Sequence, residues 1–317
     1  MDRNLGMDLV RVTEAAALGS SRLMGRGDDV AVDQAAIEAM RQTFDTVPID
    51  GTIVIGEGPE DAIPMLYLGE RVGTGQGPKT DVALDALEGA STCATGGYNA
   101  MAVIAIADEG TVLRVPDTYM DKIACGPEGR GVIDLDRGPT ENLRRLAEAK
   151  GMYVEDLTVV ILDRPRHQAL IDEVRRAGAR IKLISDGDVS AALATTKPEA
   201  GVDILMGIGR APQGILAAAA LVCLGGEMQA RLKPRNEGDA AGLRQLGLFD
   251  FNRKYRLEDL ASGSVMFAAT GVTQGDYLDG VRYVKGGGIT NSVVMRSATR
   301  TVRFIEAHHR FDRHPQY

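Results

Sequence analysis

Residues 157–184 read LTVVILDRPRHQALIDEVRRAGARIKLI, and this stretch decides the architecture. An apolar run, Leu157 to Leu162, gives way through a basic, proline-containing turn to a helical pattern, and a second run, Ala179 to Ile184, follows. Val202 to Met206 starts the same succession of strand, turn and helix again. Parallel strands need a crossover of a dozen or more residues, usually a helix. The series therefore predicts α/β architecture with a mostly parallel sheet. Working outward, Leu9, Val12, Ala16 and Leu23 lie near helical spacing and predict a helix over 8–24, broken by Gly25-Arg26-Gly27. Ile37, Met40 and Phe44 predict a second helix that opens near Asp33. Thr52 to Ile55, Asp81 to Leu84 and Met101 to Ile106 read as strands, and Thr140 to Lys150 as a helix. Beyond the central series, Ser264 to Ala269, Val281 to Val284, Asn291 to Met295 and Thr301 to Ile305 read as strands again. Pro234 to Lys254 is polar and irregular, an expected surface excursion. With no repeat and no linker, two packed α/β halves are expected, 1–150 and 151–317.

Composition narrows the function. Of 317 residues, 44% are hydrophobic and 25% charged, the balance of a globular protein. Aromatics are 4% and Trp is absent, so the core must be aliphatic. A net charge of -8 repels nucleic acid and anionic membranes, and it repels phosphate esters unless something local reverses the sign. Cys93, Cys125 and Cys223 have neither CxxC spacing nor a zinc signature, and read as reduced, packed thiols. The opening MDRNLGMDLV lacks the apolar core of a signal peptide, and the run from Gly214 to Leu224 is too short to cross a bilayer. A cytoplasmic enzyme is expected.

Acidic residues stand where elements begin or end, which is where α/β sites are built. Asp33 opens the second helix, Glu57 sits between glycines after the first strand, and Asp85 and Glu88 follow the second. Singly, Asp33 reads as a helix cap and Glu57 as a solvated turn residue. Together the four carboxylates would repel one another unless cations lay between them, and hard oxygen donors select Mg2+ or Mn2+. Arg164-Pro165-Arg166 reads either as a solvated basic turn or as two planar guanidinium forks after a strand, the geometry that matches phosphate oxygens. Asp186-Gly187-Asp188 offers carboxylate acceptors to sugar hydroxyls, or an Asx turn before the next helix. Gly207 to Gly214 reads as a glycine turn before an Ala-rich helix. The four histidines show no ligand spacing.

Several long motifs appear in one order: GTIVIGEG over 51–58, PMLYLGE over 64–70, DVALD over 81–85, PDTYM over 116–120, RPRH over 164–167 and ISDGDV over 184–189. From the opening helix to about His309 the chain resembles class II fructose-1,6-bisphosphatases. That resemblance implies a five-layered α/β/α/β/α sandwich, dependence on Mg2+ or Mn2+, and a homo-oligomer, usually a dimer or tetramer. By position, Asp33 and Glu57 resemble the ligands of one metal, and Asp85 and Glu88 those of a second, with Gln213 where the family has a glutamate ligand. Asp85, Glu88 and Glu57 are thereby the catalytic candidates. Tyr119, Arg164, Arg166, Asp186, Asp188 and Arg210 are the substrate candidates, Tyr119 by a family substrate position. The implied reaction is hydrolysis of the 1-phosphate of fructose 1,6-bisphosphate, with sedoheptulose 1,7-bisphosphate as a further substrate.

The chain departs from the family pattern in the region of the chemistry. Asp85-Ala-Leu-Glu-Gly-Ala90 stands where the family usually has Asp-Pro-x-Glu-Gly-Thr, so the hydroxyl expected to orient water is missing at Ala90. Gln213 coordinates through a neutral amide and would weaken a metal site. Arg210 replaces a small residue, and Asp29 replaces lysine. A second expectation follows: a catalytically weakened member that binds sugar phosphate in a regulatory role.

Overall fold

Two mixed sheets carry the chain in a computed structural model, which describes residues 5–59 and 64–311. The first elements are α1 (Leu5–Ser21), α2 (Asp29–Phe44), β1 (Asp50–Ile55), β2 (Arg71–Val72), β3 (Lys79–Glu88), α3 (Ala90–Thr95) and β4 (Met101–Asp108). A second series follows: β5 (Tyr119–Cys125), α4 (Pro139–Lys150), β6 (Thr158–Leu162), α5 (Gln168–Ala177), β7 (Arg180–Ile184) and α6 (Asp188–Ala194). It continues through β8 (Ile204–Arg210), α7 (Ala211–Leu224), β9 (Glu227–Lys233), α8 (Glu237–Gln245), β10 (Tyr255–Arg256) and α9 (Leu257–Leu260). The chain then adds β11 (Met266–Gly271), β12 (Arg282–Val284), β13 (Gly287–Arg296) and β14 (Thr301–Arg310).

The expected division at residue 150 is not the one the compact units follow. One unit is discontinuous, Met1–Val112 with Gly263–Tyr317, and the other is Leu113–Ser262. The reason is strand pairing. β11 pairs antiparallel with β4 from Met266↔Ile106 to Gly271↔Met101, which returns the end of the chain to the first sheet.

The first unit holds an eight-stranded sheet in the order β12-β13-β11-β4-β3-β1-β2, with β14 on β13. Among the described residues only β1 and β3 pair parallel there, so the expectation of a mostly parallel sheet fails in this unit. α1 and α2 lay Leu9, Val12, Ala16, Val32, Ala36 and Met40 into one aliphatic core with Val82, Leu84 and Ile104 of the sheet. α2 opens at Asp28, whose side chain accepts from the Ala31 amide at 2.9 Å. Asp33, expected at the opening of that helix, therefore lies inside it.

The second unit holds a six-stranded sheet in the order β10-β9-β5-β8-β6-β7. Here β6 is parallel to β7 and to β8, as the periodicity predicts, but the sheet as a whole is mixed and not mostly parallel. β5 is inserted antiparallel to both β8 and β9. Two expectations are corrected. Gly207 to Arg210 completes β8 and is not a turn, and the excursion after Pro234 contains α8, capped by Asn236. Among the described residues no helix is long and apolar enough to cross a membrane.

Candidate active site

Within the second unit the carboxyl ends of β6, β7 and β8 lie side by side with the start of β5, and the residues there line a cavity of about 150 Å3. Such ends are where α/β sheets bind ligands, because each strand leaves the sheet there and its loop is free to carry chemistry. β6 leads through a one-turn helix at Pro165–His167 and contributes Arg164 and Arg166. β7 leads to Asp186 and Asp188, on either side of Gly187, whose φ of 101° caps α6. β8 and α7 supply Gly209, Arg210 and Gln213, and β5 supplies Tyr119. All six substrate candidates read from sequence, and Gln213, thus line one cavity.

The arginines do not simply project into solvent. Arg164 donates from Nη1 to the Asp163 carbonyl at 2.9 Å and from Nη2 to the Ser185 carbonyl at 2.6 Å. Arg166 donates from Nε and Nη2 to the Ile208 carbonyl at 3.0 and 2.8 Å. Its guanidinium also lies 4.8 Å from the centre of the Tyr119 ring. Arg210 donates from Nε to Asp117 at 2.9 Å, which holds it on the rim. Burial raises the Asp186 carboxyl above the usual range. The Gly187 amide, 3.0 Å from its Oδ1, pulls it down; neighbouring Asp188 raises it again, and Arg164 and Arg210 lower it.

Sequence reasoning missed four residues here. His167 is buried, donating from Nδ1 to the Leu162 carbonyl at 2.7 Å and accepting at Nε2 from the Ile208 amide at 2.8 Å. Arg235 lies 5.0 Å from the Tyr119 ring centre and donates to Asp239 at 2.7 Å and to the Asp117 carbonyl. Asp117 joins Arg210 to Arg235. Lys122 is buried and ion-paired to Asp188. The one signal available was a lysine inside a strand whose following residues are apolar.

The four acidic candidates all lie in the first unit. Glu57 accepts the Ala86 amide at 2.6 Å through Oε1, and Asp85 accepts the Leu87 amide at 3.2 Å. Asp85 and Glu88 do not stand in a turn, as expected; they belong to β3 and flank an irregularity in its pairing. Asp85 sits opposite Val103 and Glu88 opposite Met101, so three residues on β3 span two on β4. The extra residue restores the phase, and both carboxylates share a face of the strand. Asp33 is on α2, which packs against β3 and α3. All four offer the hard oxygen donors that Mg2+ and Mn2+ take, so the chemistry fits. Among the described residues, however, no group of three or more His, Cys, Asp or Glu side chains is assembled as a cation cage. Ala90 opens α3 behind Gly89, whose φ is 88°. Ser91 is exposed at the next position, about 100° further round the helix, so its hydroxyl does not replace the missing one.

Comparison with known proteins adds a family. A profile described as "Bacterial fructose-1,6-bisphosphatase, glpX-encoded" matches residues 3–309. A protein of Synechococcus sp. strain JA-3-3Ab, named D-fructose 1,6-bisphosphatase class 2/sedoheptulose 1,7-bisphosphatase, is 44% identical, over 98% of this chain and 97% of its own. A protein of Synechococcus elongatus with the same name is 42% identical, over 98% of each chain.

Proposed function

Because the chain belongs to the class II, glpX-type fructose-1,6-bisphosphatase family, we propose that it hydrolyses the 1-phosphate of fructose 1,6-bisphosphate, giving fructose 6-phosphate and phosphate. The observation that carries the reading is the cavity in the second unit, where two arginines, a tyrosine and two aspartates converge at the carboxyl ends of parallel strands. Arg164 and Arg166 grip the phosphate that is not cleaved. Tyr119, Asp186 and Asp188 hold the sugar, the aspartates as acceptors from its hydroxyls. Asp33, Glu57, Asp85 and Glu88 are the ligands assigned to divalent Mg2+ or Mn2+, with Gln213 as a weaker neutral one. When bound, such cations neutralise phosphate charge and activate the attacking water. Water oxygen attacks phosphorus in line, the bond to the sugar oxygen breaks, and that oxygen leaves with a proton. Sedoheptulose 1,7-bisphosphate is a second substrate in this reading, since both relatives carry both names. The five-layered sandwich, a homo-oligomer and a cytoplasmic location belong to the same proposal.

A weakened enzyme is the second reading, favoured by the missing hydroxyl at Ala90. Loss of one positioned hydroxyl slows chemistry roughly ten- to a thousandfold. Both readings are tested by phosphate release from fructose 1,6-bisphosphate with Mn2+, in the parent, Ala90→Thr and Gln213→Glu, and in the double variant. Activity in the parent supports the phosphatase. A large gain in the double variant marks these positions as the lesion, and silence in all of them rejects the phosphatase reading.

A further inference from the structure

Lys122 stands in β5, among the largest fully buried side chains of the protein. An ammonium withdrawn from water must be paired and hydrogen-bonded. Its Nζ forms an ion pair with Asp188 Oδ2 and donates to the Arg210 carbonyl at 3.2 Å. The Asp188 side chain is only 7% exposed, and its other oxygen, Oδ1, is buried with no hydrogen-bond partner. A buried acceptor without a donor is costly, and few persist in folded proteins without a reason. Asp188 lines the cavity, where a ligand hydroxyl would supply the missing donor. Gly209 closes the arrangement from β8. A Cβ there would lie 2.1 Å from Asp188 Oδ2 and 2.6 Å from Lys122 Nζ, so the pair fills space that only glycine leaves open.

The geometry points to Lys122 as a positioning residue that pins one oxygen of Asp188 and thereby presents the other to a sugar hydroxyl. This rests on the sugar-bisphosphate reading above. The lysine itself is walled off from substrate, and Asp188 is assigned to the sugar and not to the reacting phosphorus. Its effect therefore belongs mainly to KM. A merely structural lysine would lower the amount of folded enzyme and leave the KM of the folded fraction unchanged.

The test compares Lys122→Met, Asp188→Asn and the double variant by initial rates of phosphate release from fructose 1,6-bisphosphate with Mn2+, and by calorimetric binding of fructose 6-phosphate. Each single change is expected to raise KM about 10- to 100-fold, the scale of a hydrogen bond to a charged acceptor, with a smaller change in kcat. The double variant is expected to match Asp188→Asn, because both changes act through one acceptor. Losses that multiply in the double variant, or a loss confined to kcat, overturn the proposal. Should Lys122→Met not fold, the double variant removes both buried charges and is read against Asp188→Asn: equal KM values sustain the proposal and a further rise overturns it. A parent that releases no phosphate but binds fructose 6-phosphate sinks the phosphatase reading alone, and the same comparison then proceeds on binding. A parent that binds none overturns this proposal too.

Discussion

Replacing His167 by alanine should unfasten the arginine turn from its neighbouring strand. The ladder between β6 and β8 runs through Val159↔Ile204 and Val160↔Leu205. Beyond it, two consecutive side chains take over. Arg166 holds the Ile208 carbonyl at 3.0 and 2.8 Å, and the His167 ring spans from the Leu162 carbonyl at 2.7 Å to the Ile208 amide at 2.8 Å. Alanine would leave a carbonyl and an amide unpaired, at about 1–3 kcal/mol each when buried. It would also open a space beside Gly207, where a Cβ would lie only 2.9 Å from the ring. Together these give a loss of about 3–5 kcal/mol. At roughly 2–4 °C per kcal/mol, the melting temperature should fall by about 6–20 °C, with a matching shift in the denaturant midpoint. His167→Gln, whose amide both donates and accepts, should recover part of it. The imidazole must stay neutral, because Nε2 accepts. Burial lowers its pKa from 6.5 in the folded state, opposed by its bond to Leu162. The unfolded chain therefore takes up the proton first. The histidine's contribution is complete above pH 6.5 and is lost as pH falls through the lowered folded value. That loss should be absent in His167→Gln. A melting temperature for His167→Ala within about 2 °C of the parent, or a glutamine no better than alanine, would refute the stapling argument.

Asp186 is raised chiefly by burial, so its ionised form is disfavoured in the fold, and the stability it gives below pH 3.8 is lost as pH rises through its folded value. Asp186→Asn should therefore melt higher than the parent at pH 8 while raising KM; a lower melting temperature would contradict the desolvation account. Gly209→Ala puts a methyl on the Lys122–Asp188 pair and should cost about 1–3 kcal/mol by denaturant titration and raise KM, since its backbone φ is ordinary and only sterics oppose it. Tyr119→Leu removes the ring lying 4.8 Å from Arg166 and 5.0 Å from Arg235, at about 0.5–1 kcal/mol per contact, which should appear as a KM raised by about five- to thirtyfold. No change in KM would remove the ring from substrate binding.

What the sequence made legible was local. The run from Leu157 to Ile184 announced two parallel strands with a crossover helix, and the turns after β6 and β7 carry Arg164, Arg166, Asp186 and Asp188, which line one cavity. Periodicity put the basic turn and the Asp-Gly-Asp turn after strands; the resemblance assigned Tyr119, and no period reveals that β5 enters antiparallel beside β8. What it hid was non-local or cumulative. The return of β11 to β4 depends on pairing across more than 150 residues, which no period reveals. The irregularity between Asp85 and Glu88 is one residue of register, invisible until β4 lies beside β3. Lys122 reads as an ordinary strand lysine until Asp188 arrives from α6 to pair with it.

The net charge of -8 sets the problem that the cavity must solve, since an anionic protein has to attract an anion. Its arginines divide the work. Arg210 and Arg235 are matched to carboxylates, Asp117 and Asp239, so their charge is compensated and they serve to fix the rim. Arg164 and Arg166 are held instead by neutral carbonyls of Asp163, Ser185 and Ile208. A carbonyl orients a guanidinium without cancelling its charge, and with five donors on each side chain a fork remains for an anion. The carboxyl ends of parallel strands and their turns are where such carbonyls gather. Preorganising two positive groups in this way lowers the ordering cost of binding a phosphate. Arg166→Lys should accordingly bind phosphate worse than charge conservation suggests. A lysine keeps the positive charge but cannot hold the Ile208 carbonyl through two N–H groups and still offer a planar fork. The expected change is a tenfold or greater rise in KM, about 1.4 kcal/mol or more, with a smaller effect on melting than His167→Ala. A KM equal to the parent's would mean that charge alone, without the carbonyl-held geometry, suffices to draw the substrate in.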